Sequence, residues 1–130
     1  MRKFVYYILP VIIWMIIIFL LSSRQSVSVS EEGALNFLFF KTLHVIEYAI
    51  LFTLSFRAFL KGSKNEKKSK VVLKYALAVS LLYAISDELH QTFVPTRQGA
   101  VRDVFIDLFG MFLMYTYINR NRWFVKRFLT

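Results

Sequence analysis

Residues 4–21 form an unbroken run of 18 residues without a charged side chain. At 1.5 Å rise per residue, that is long enough for one helix to cross the hydrocarbon core of a bilayer. Arg2 and Lys3 precede the run. Ser22-Ser23-Arg24 follows it and lacks the small-x-small pattern of a cleavage site, so the pattern predicts a retained anchor rather than a signal peptide. Pro10 lies inside the run, where a lipid-embedded helix tolerates it because neighbouring helices satisfy the freed carbonyl. Three further apolar segments follow at about residues 41–60, 71–88 and 103–118. The stretch Lys61-Gly62-Ser63-Lys64-Asn65-Glu66-Lys67-Lys68-Ser69-Lys70 separates the second from the third, with a helix-stopping glycine and five lysines against one glutamate. The predicted fold is all-α, a four-helix transmembrane bundle formed by one domain over residues 1–130, with no internal repeat.

Composition changes the picture in one respect, the solvent. A chain of 130 residues with 57% hydrophobic residues and mean hydropathy +0.51 is too apolar for a core wrapped in polar surface. No cysteine is present, which removes disulfides, thiolate metal sites and a cysteine nucleophile.

A net charge of +9 suggests nucleic acid in a soluble protein, but the basic residues sit in blocks between apolar runs, so no nucleic acid partner is expected. Topology explains the blocks, because Lys and Arg are retained on the cytoplasmic side. Arg2 and Lys3, the lysine stretch, and Arg120, Arg122, Lys126 and Arg127 mark three basic segments. The segments between them balance their charges: Arg24 and Lys41 against Glu31 and Glu32, then Arg97 and Arg102 against Asp87, Glu88 and Asp103. Four spans with both termini cytoplasmic follow. Arg57 and Lys74 are expected to snorkel at cytoplasmic span ends, and Tyr6, Tyr7, Tyr117 and Trp123 to form an aromatic belt there.

With that orientation, the polar residues in or beside the spans gather at the outer end. Ser22, Ser23 and Gln25 follow span one, and Lys41, His44, Glu47 and Tyr48 open span two. Asp87, Glu88, His90 and Gln91 close span three, and Asp103 and Asp107 open span four. Residues three, four and seven apart share a helix face, so Lys41, His44 and Tyr48 form one stripe and Asp103 stacks on Asp107. An ionisable group at a helix centre costs roughly 2.5–3.5 kcal/mol on insertion scales and usually faces a bundle interior or wet cavity. Glu47 and Asp107 are the deepest such groups. Two readings of the layer stand. In the first, the groups pair to hold the helices together, His44 with a carboxylate and Arg97 or Arg102 with Asp103. In the second, two histidines and five carboxylates at one end form a site. Glu31 and Glu32 read as solvated loop surface, and His90 as an exposed histidine.

Phe19-Leu20-Leu21-Ser22-Ser23-Arg24-Gln25, the K-x-x-H-x-x-x-Y stripe from Lys41 to Tyr48, the D-E-x-x-Q-x-F-x-P-x-R segment from Asp87 to Arg97 and the D-x-x-x-D-x-x-G helix from Asp103 to Gly110 occur in this order. Together they resemble the VanZ-like family over nearly the full chain. The resemblance implies a small bacterial multipass protein of the cell envelope, whose name-giving member is associated with low-level resistance to the glycopeptide teicoplanin. It carries Ser23, Gln25, Lys41, His44, Tyr48, Asp87, Glu88, Gln91, Pro95, Arg97, Asp103, Asp107 and Gly110 onto this sequence. Asp107 stands where many members have asparagine.

Taken together, the candidates for general acid–base work are His44, Glu88 and Asp87. Those for substrate binding are Ser23, Gln25, Lys41, Tyr48, Gln91, Arg97, Asp103 and Asp107, with Lys41 and Arg97 meeting phosphate or carboxylate. His44 and Glu88 are expected to meet across spans two and three. The expected partner is a membrane lipid or a lipid-linked cell-wall precursor, bound or modified at the outer face. No nucleophile motif is present, so a non-catalytic module that alters antibiotic access or assists a partner protein stands beside the enzymatic version. Transport would require a homo-oligomer. No cofactor is expected, and because no pair of His, Asp or Glu has the spacing of a known zinc motif, ion pairing is the expected use of these side chains. The orientation predicts that a cysteine placed at Ser28 or Thr96 reacts with a membrane-impermeant maleimide in intact cells while one at Ser63 does not. Labelling at Ser63 alone reverses the topology.

Overall fold

A computed structural model describes residues 2–24, 33–62, 69–97, 99–121 and 124–125. The described residues form four long helices and no strand: α1 (Arg2–Ser22), α2 (Gly33–Gly62), α3 (Ser69–Gln91) and α4 (Val101–Arg120). The expected all-α class is therefore found. The lysine-rich residues 64–68, together with Gln25, Ser28, Glu31, Glu32, Ser63 and Trp123, lie outside the described residues.

Helix α2 starts eight residues before the expected boundary, and its 30 residues cover about 45 Å. Its first two turns, Gly33-Ala34-Leu35-Asn36-Phe37-Leu38-Phe39-Phe40, contain no breaker after the glycine, so the chain has no reason to leave the helix before Lys41. At the other end α2 stops at Gly62, the glycine expected to end it. Pro10 lies within α1, which runs on to Ser22.

Helix α2 is the central element and packs against each of the other three. Its inward stripe, Tyr48, Leu51, Phe52, Phe56 and Leu60, has helical spacing and is fully or almost fully buried. Helix α3 answers with a seam of small residues four apart, Ala76, Ser80 and Ala84, each fully buried. Small side chains let backbones approach closely, the usual basis of helix contact where lipid removes the hydrophobic drive. Trp14 Nε1–H donates to the Glu47 carbonyl at 2.9 Å and the Tyr83 hydroxyl to the Met15 carbonyl at 2.5 Å, so α1 is pinned to both α2 and α3. Arg57, expected to snorkel, lies over the rings of Tyr6 and Tyr7, 5.3 and 4.9 Å from their centroids.

The outer faces are apolar. Val5, Leu9, Ile12, Ile13, Ile16, Phe19 and Leu20 of α1 are all exposed. Only 17% of the apolar window of α1 and 22% of that of α2 are buried, whereas an equally apolar helix in a soluble core would be mostly covered. Both helices are long and apolar enough to cross a membrane.

The inward stripes change chemistry along their length. On α2 the buried series runs from Leu60 and Phe56 through Tyr48 to His44; on α3 from Ala76 to Asp87, Glu88 and Gln91; on α4 from Ile118 and Met111 through Gly110 to Asp107 and Asp103. Apolar at one end and polar at the other, the three stripes switch at one level. Just below that level Gly110 presses on α2: a Cβ built there would collide with the Val45 carbonyl oxygen and lie 3.0 Å from the Val45 Cα. That neighbour is backbone and cannot swing away. Gly110→Ala should therefore destabilise the detergent-solubilised protein by about 1–3 kcal/mol, and Gly110→Leu by more, read as a lower melting temperature. An unchanged melting temperature in both would contradict the α2–α4 contact.

Candidate functional site

The polar end lies where α1 and α3 stop and α4 begins, so residues far apart in sequence meet there. His44 is 8% exposed, and its Nδ1 lies 3.0 Å from Oδ1 of the fully buried Asp107. Glu88 Oε2 accepts the Ala100 N–H at 3.0 Å, and Oε1 accepts Gln91 Nε2–H at 3.3 Å. Ala100 is the N-cap of α4 and has no side-chain oxygen to cap it. Glu88 thus takes one backbone donor at the start of a different helix, joining α3 to α4. Gly99 makes this approach possible, since a Cβ there would run into the Glu88 carbonyl oxygen.

Asp87 Oδ2 accepts Ser22 Oγ–H at 2.8 Å and Gln91 Nε2–H at 3.1 Å, which brings α1 into the same network. Lys41 forms an ion pair with Asp103 at 2.5 Å, with side chains 18% and 8% exposed. Arg102 lies 3.4 Å from the other Asp103 oxygen, and both cations sit over the Phe37 ring. Three atoms in this layer are buried without a hydrogen-bond partner among the described residues, Tyr48 Oη, Asp87 Oδ1 and Asp107 Oδ2. Tyr48 is fully buried one turn below His44.

His44 hydrogen-bonds Asp107 rather than Glu88, and Glu88 lies close to both: each of the three offers one ligand atom, and these atoms lie within 4.8 Å of one another. Such a group could hold a metal ion. Not every candidate points into this cluster. Arg97 Nε–H and Nη2–H donate to the carbonyls of Arg24 and Leu21, at 2.9 and 3.3 Å, so its guanidinium caps the end of α1. Ser23 Oγ–H donates to the Phe19 carbonyl at 2.7 Å and lies 3.1 Å from His90 Nε2. His90 is half-buried, with its ring 4.7 Å from that of Phe19. Gln25 lies outside the described residues.

Some contributors were not among the sequence candidates. Ser22, rather than Ser23, reaches the buried carboxylates, because it is the last residue of α1 and points inward while its neighbour points along the rim. Gly99 and the Ala100 N–H have no side-chain chemistry to draw attention, although a glycine just before a helix start is a signal of close backbone approach. A shallow groove lined by Leu113, Thr116, Tyr117, Arg120 and Asn121 lies toward the opposite end of α4 and shares no residue with the cluster.

A family model described as VanZ/LLP1 matches residues 4–124. The chain belongs to the VanZ-like family. No curated protein and no solved structure gives a significant match. In this VanZ-like chain the K-x-x-H-x-x-x-Y stripe is the inward face of α2, the D-E-x-x-Q pattern closes the inward face of α3, and D-x-x-x-D-x-x-G opens that of α4. The three motifs meet at one level because Gly110 lets α4 settle against Val45 beside His44. The Lys41–Asp103 pair should couple: Lys41→Met and Asp103→Asn should each lower the melting temperature, and the double variant should fall short of their sum by about 0.5–3 kcal/mol. Strict additivity would show that the pair adds nothing beyond its separate side chains.

Proposed function

We propose that this VanZ-like protein is a single four-span domain of the bacterial cell membrane, with both termini cytoplasmic. Its extracytoplasmic polar layer would bind or modify the head of an amphiphile, a membrane lipid or a lipid-linked cell-wall precursor. The observation that carries the reading is the convergence of buried His44, Glu88 and Asp107 at the end of the bundle away from the lysine-rich stretch. Buried ionisable groups are costly in an apolar surrounding and mark functional sites when they cluster.

Four spans rather than two are supported by the outer faces of α3 and α4. Val71, Tyr75, Leu82, Ile85 and Leu89 make an exposed stripe on α3, and Val101, Phe105, Phe109, Phe112 and Leu113 make one on α4. Those faces suit acyl chains better than water. Lys41, Arg97 and Arg102 lie at the polar end, and a phosphate or carboxylate head would draw on them in exchange for their present partners, Asp103 and the carbonyls that end α1. Acid–base chemistry on that head would fall to His44 and Glu88, with Asp87 and Asp107 behind them.

A second reading has its own support. The Lys41–Asp103 and His44–Asp107 contacts both tie α2 to α4, as expected of a non-catalytic module that changes antibiotic access or assists a partner protein. Transport has less, because below the polar layer the inward stripes are Phe52, Phe56, Leu60, Met111 and Ile118, with only the hydroxyls of Ser55 and Ser80 among the described residues and no charged group.

The test is coupling at normal protein levels, with teicoplanin susceptibility as the readout. His44→Ala and Glu88→Gln should each abolish the phenotype, and the double substitution should be no worse than either alone, as for groups acting as one unit. Full activity in both single variants would reduce the layer to helix pairing.

A further inference from the structure

We propose that His44, Glu88 and Asp107 bind one divalent metal ion of the borderline class, Zn2+ in the first instance. The three ligand atoms come from three helices and lie within 4.8 Å of one another, in residues that are 8%, 5% and 0% exposed. Bonds of about 2.0–2.2 Å place neighbouring ligands of one ion roughly 3–4 Å apart, so small side-chain adjustments close the site. The 3.0 Å between His44 Nδ1 and Asp107 Oδ1 already suits two adjacent ligands of one ion as well as a hydrogen bond.

The charge around the cluster points the same way. Asp107 Oδ2 is buried with no donor among the described residues, although Asp107 is completely enclosed. Among the described residues, Lys41 and Arg102 are both committed to Asp103, and no lysine or arginine lies within 4 Å of the carboxylates of Asp87, Glu88 or Asp107. A buried carboxylate oxygen without a partner is costly, and a cation held among several such carboxylates would offset that cost.

The donor set selects the ion. One imidazole nitrogen and two carboxylates suit Zn2+ or Mn2+, whereas Ca2+ and Mg2+ prefer oxygen alone and soft ions want the sulfur this chain lacks. Three protein ligands leave a coordination position open, the arrangement of sites where a metal meets a ligand from solution. Gln91 and the Ala100 N–H already hold the Glu88 carboxylate from behind, the kind of outer support that orients a metal ligand. Sequence spacing gave no sign of this because positions 44, 88 and 107 belong to different helices.

With an ion bound, His44 and Glu88 would serve as its ligands in place of the acid–base role given them above; the metal does not depend on the amphiphile reading, since it is measured on protein without added lipid. Full-length protein carrying a non-histidine tag is purified in detergent, stripped with chelator and titrated with Zn2+ against a fluorescent competitor. One equivalent should bind, with affinity at least ten-fold lower in His44→Ala and Glu88→Gln. His90→Ala removes the other histidine and should bind as the wild type does. A stoichiometry well below one, or equal affinity in His44→Ala, overturns the proposal. Should the variants fail to fold, the wild type loaded with Co2+ decides: intense visible bands of a four- or five-coordinate site support it, and the weak spectrum of hexaaqua cobalt refutes it.

Discussion

The approach of α4 to α2 at Gly110 sets the rest of the structure. With no side chain at that point, the α4 backbone settles against the Val45 peptide, and the neighbouring positions follow: His44 is adjacent to Val45, and Asp107 lies one turn from Gly110. The His44–Asp107 contact is a consequence of a backbone contact. Any side chain at 110 would push the two helices apart and separate the polar groups that face each other above it.

That geometry explains why a costly layer persists in so apolar a chain. Three of the carboxylates are held by a donor from another element or another turn: Asp103 by Lys41, Asp87 by Ser22 and Gln91, Glu88 by the Ala100 N–H. The network therefore contributes to helix association as well as to any chemistry, since removing one partner leaves another buried and unpaired. The turn that joins α3 to α4 is built for the same end. Thr96 sits at φ 69°, a conformation that a β-branched residue adopts only under constraint, and the reversal there delivers Gly99 and Ala100 onto Glu88.

Much of this was legible in the sequence because apolar runs and charge blocks report solvent and length. The four helices and the level of the polar layer followed from run lengths and from spacings of three and four. The start of α2 did not, because residues 33–40 are apolar enough to continue a helix and no breaker marks an end. Pairing was harder still. His44 was expected against Glu88; it hydrogen-bonds Asp107, while Glu88 comes within reach of both. Arg97, the natural anion ligand by composition, is spent on the carbonyls that end α1. Which residue of Ser22-Ser23 turns inward depends on where the helix stops, and periodicity alone cannot fix that to one position.

We propose that the polar end of this VanZ-like bundle receives the head of an amphiphile. Native mass spectrometry of the protein released from its own membranes tests it directly, with fragmentation to identify any retained molecule. One phosphate- or carboxylate-bearing amphiphile per chain is expected, retained by the wild type and lost from His44→Ala and Glu88→Gln variants that still melt cooperatively. Equal retention in wild type and variants, or a wild type carrying no such molecule, would contradict it.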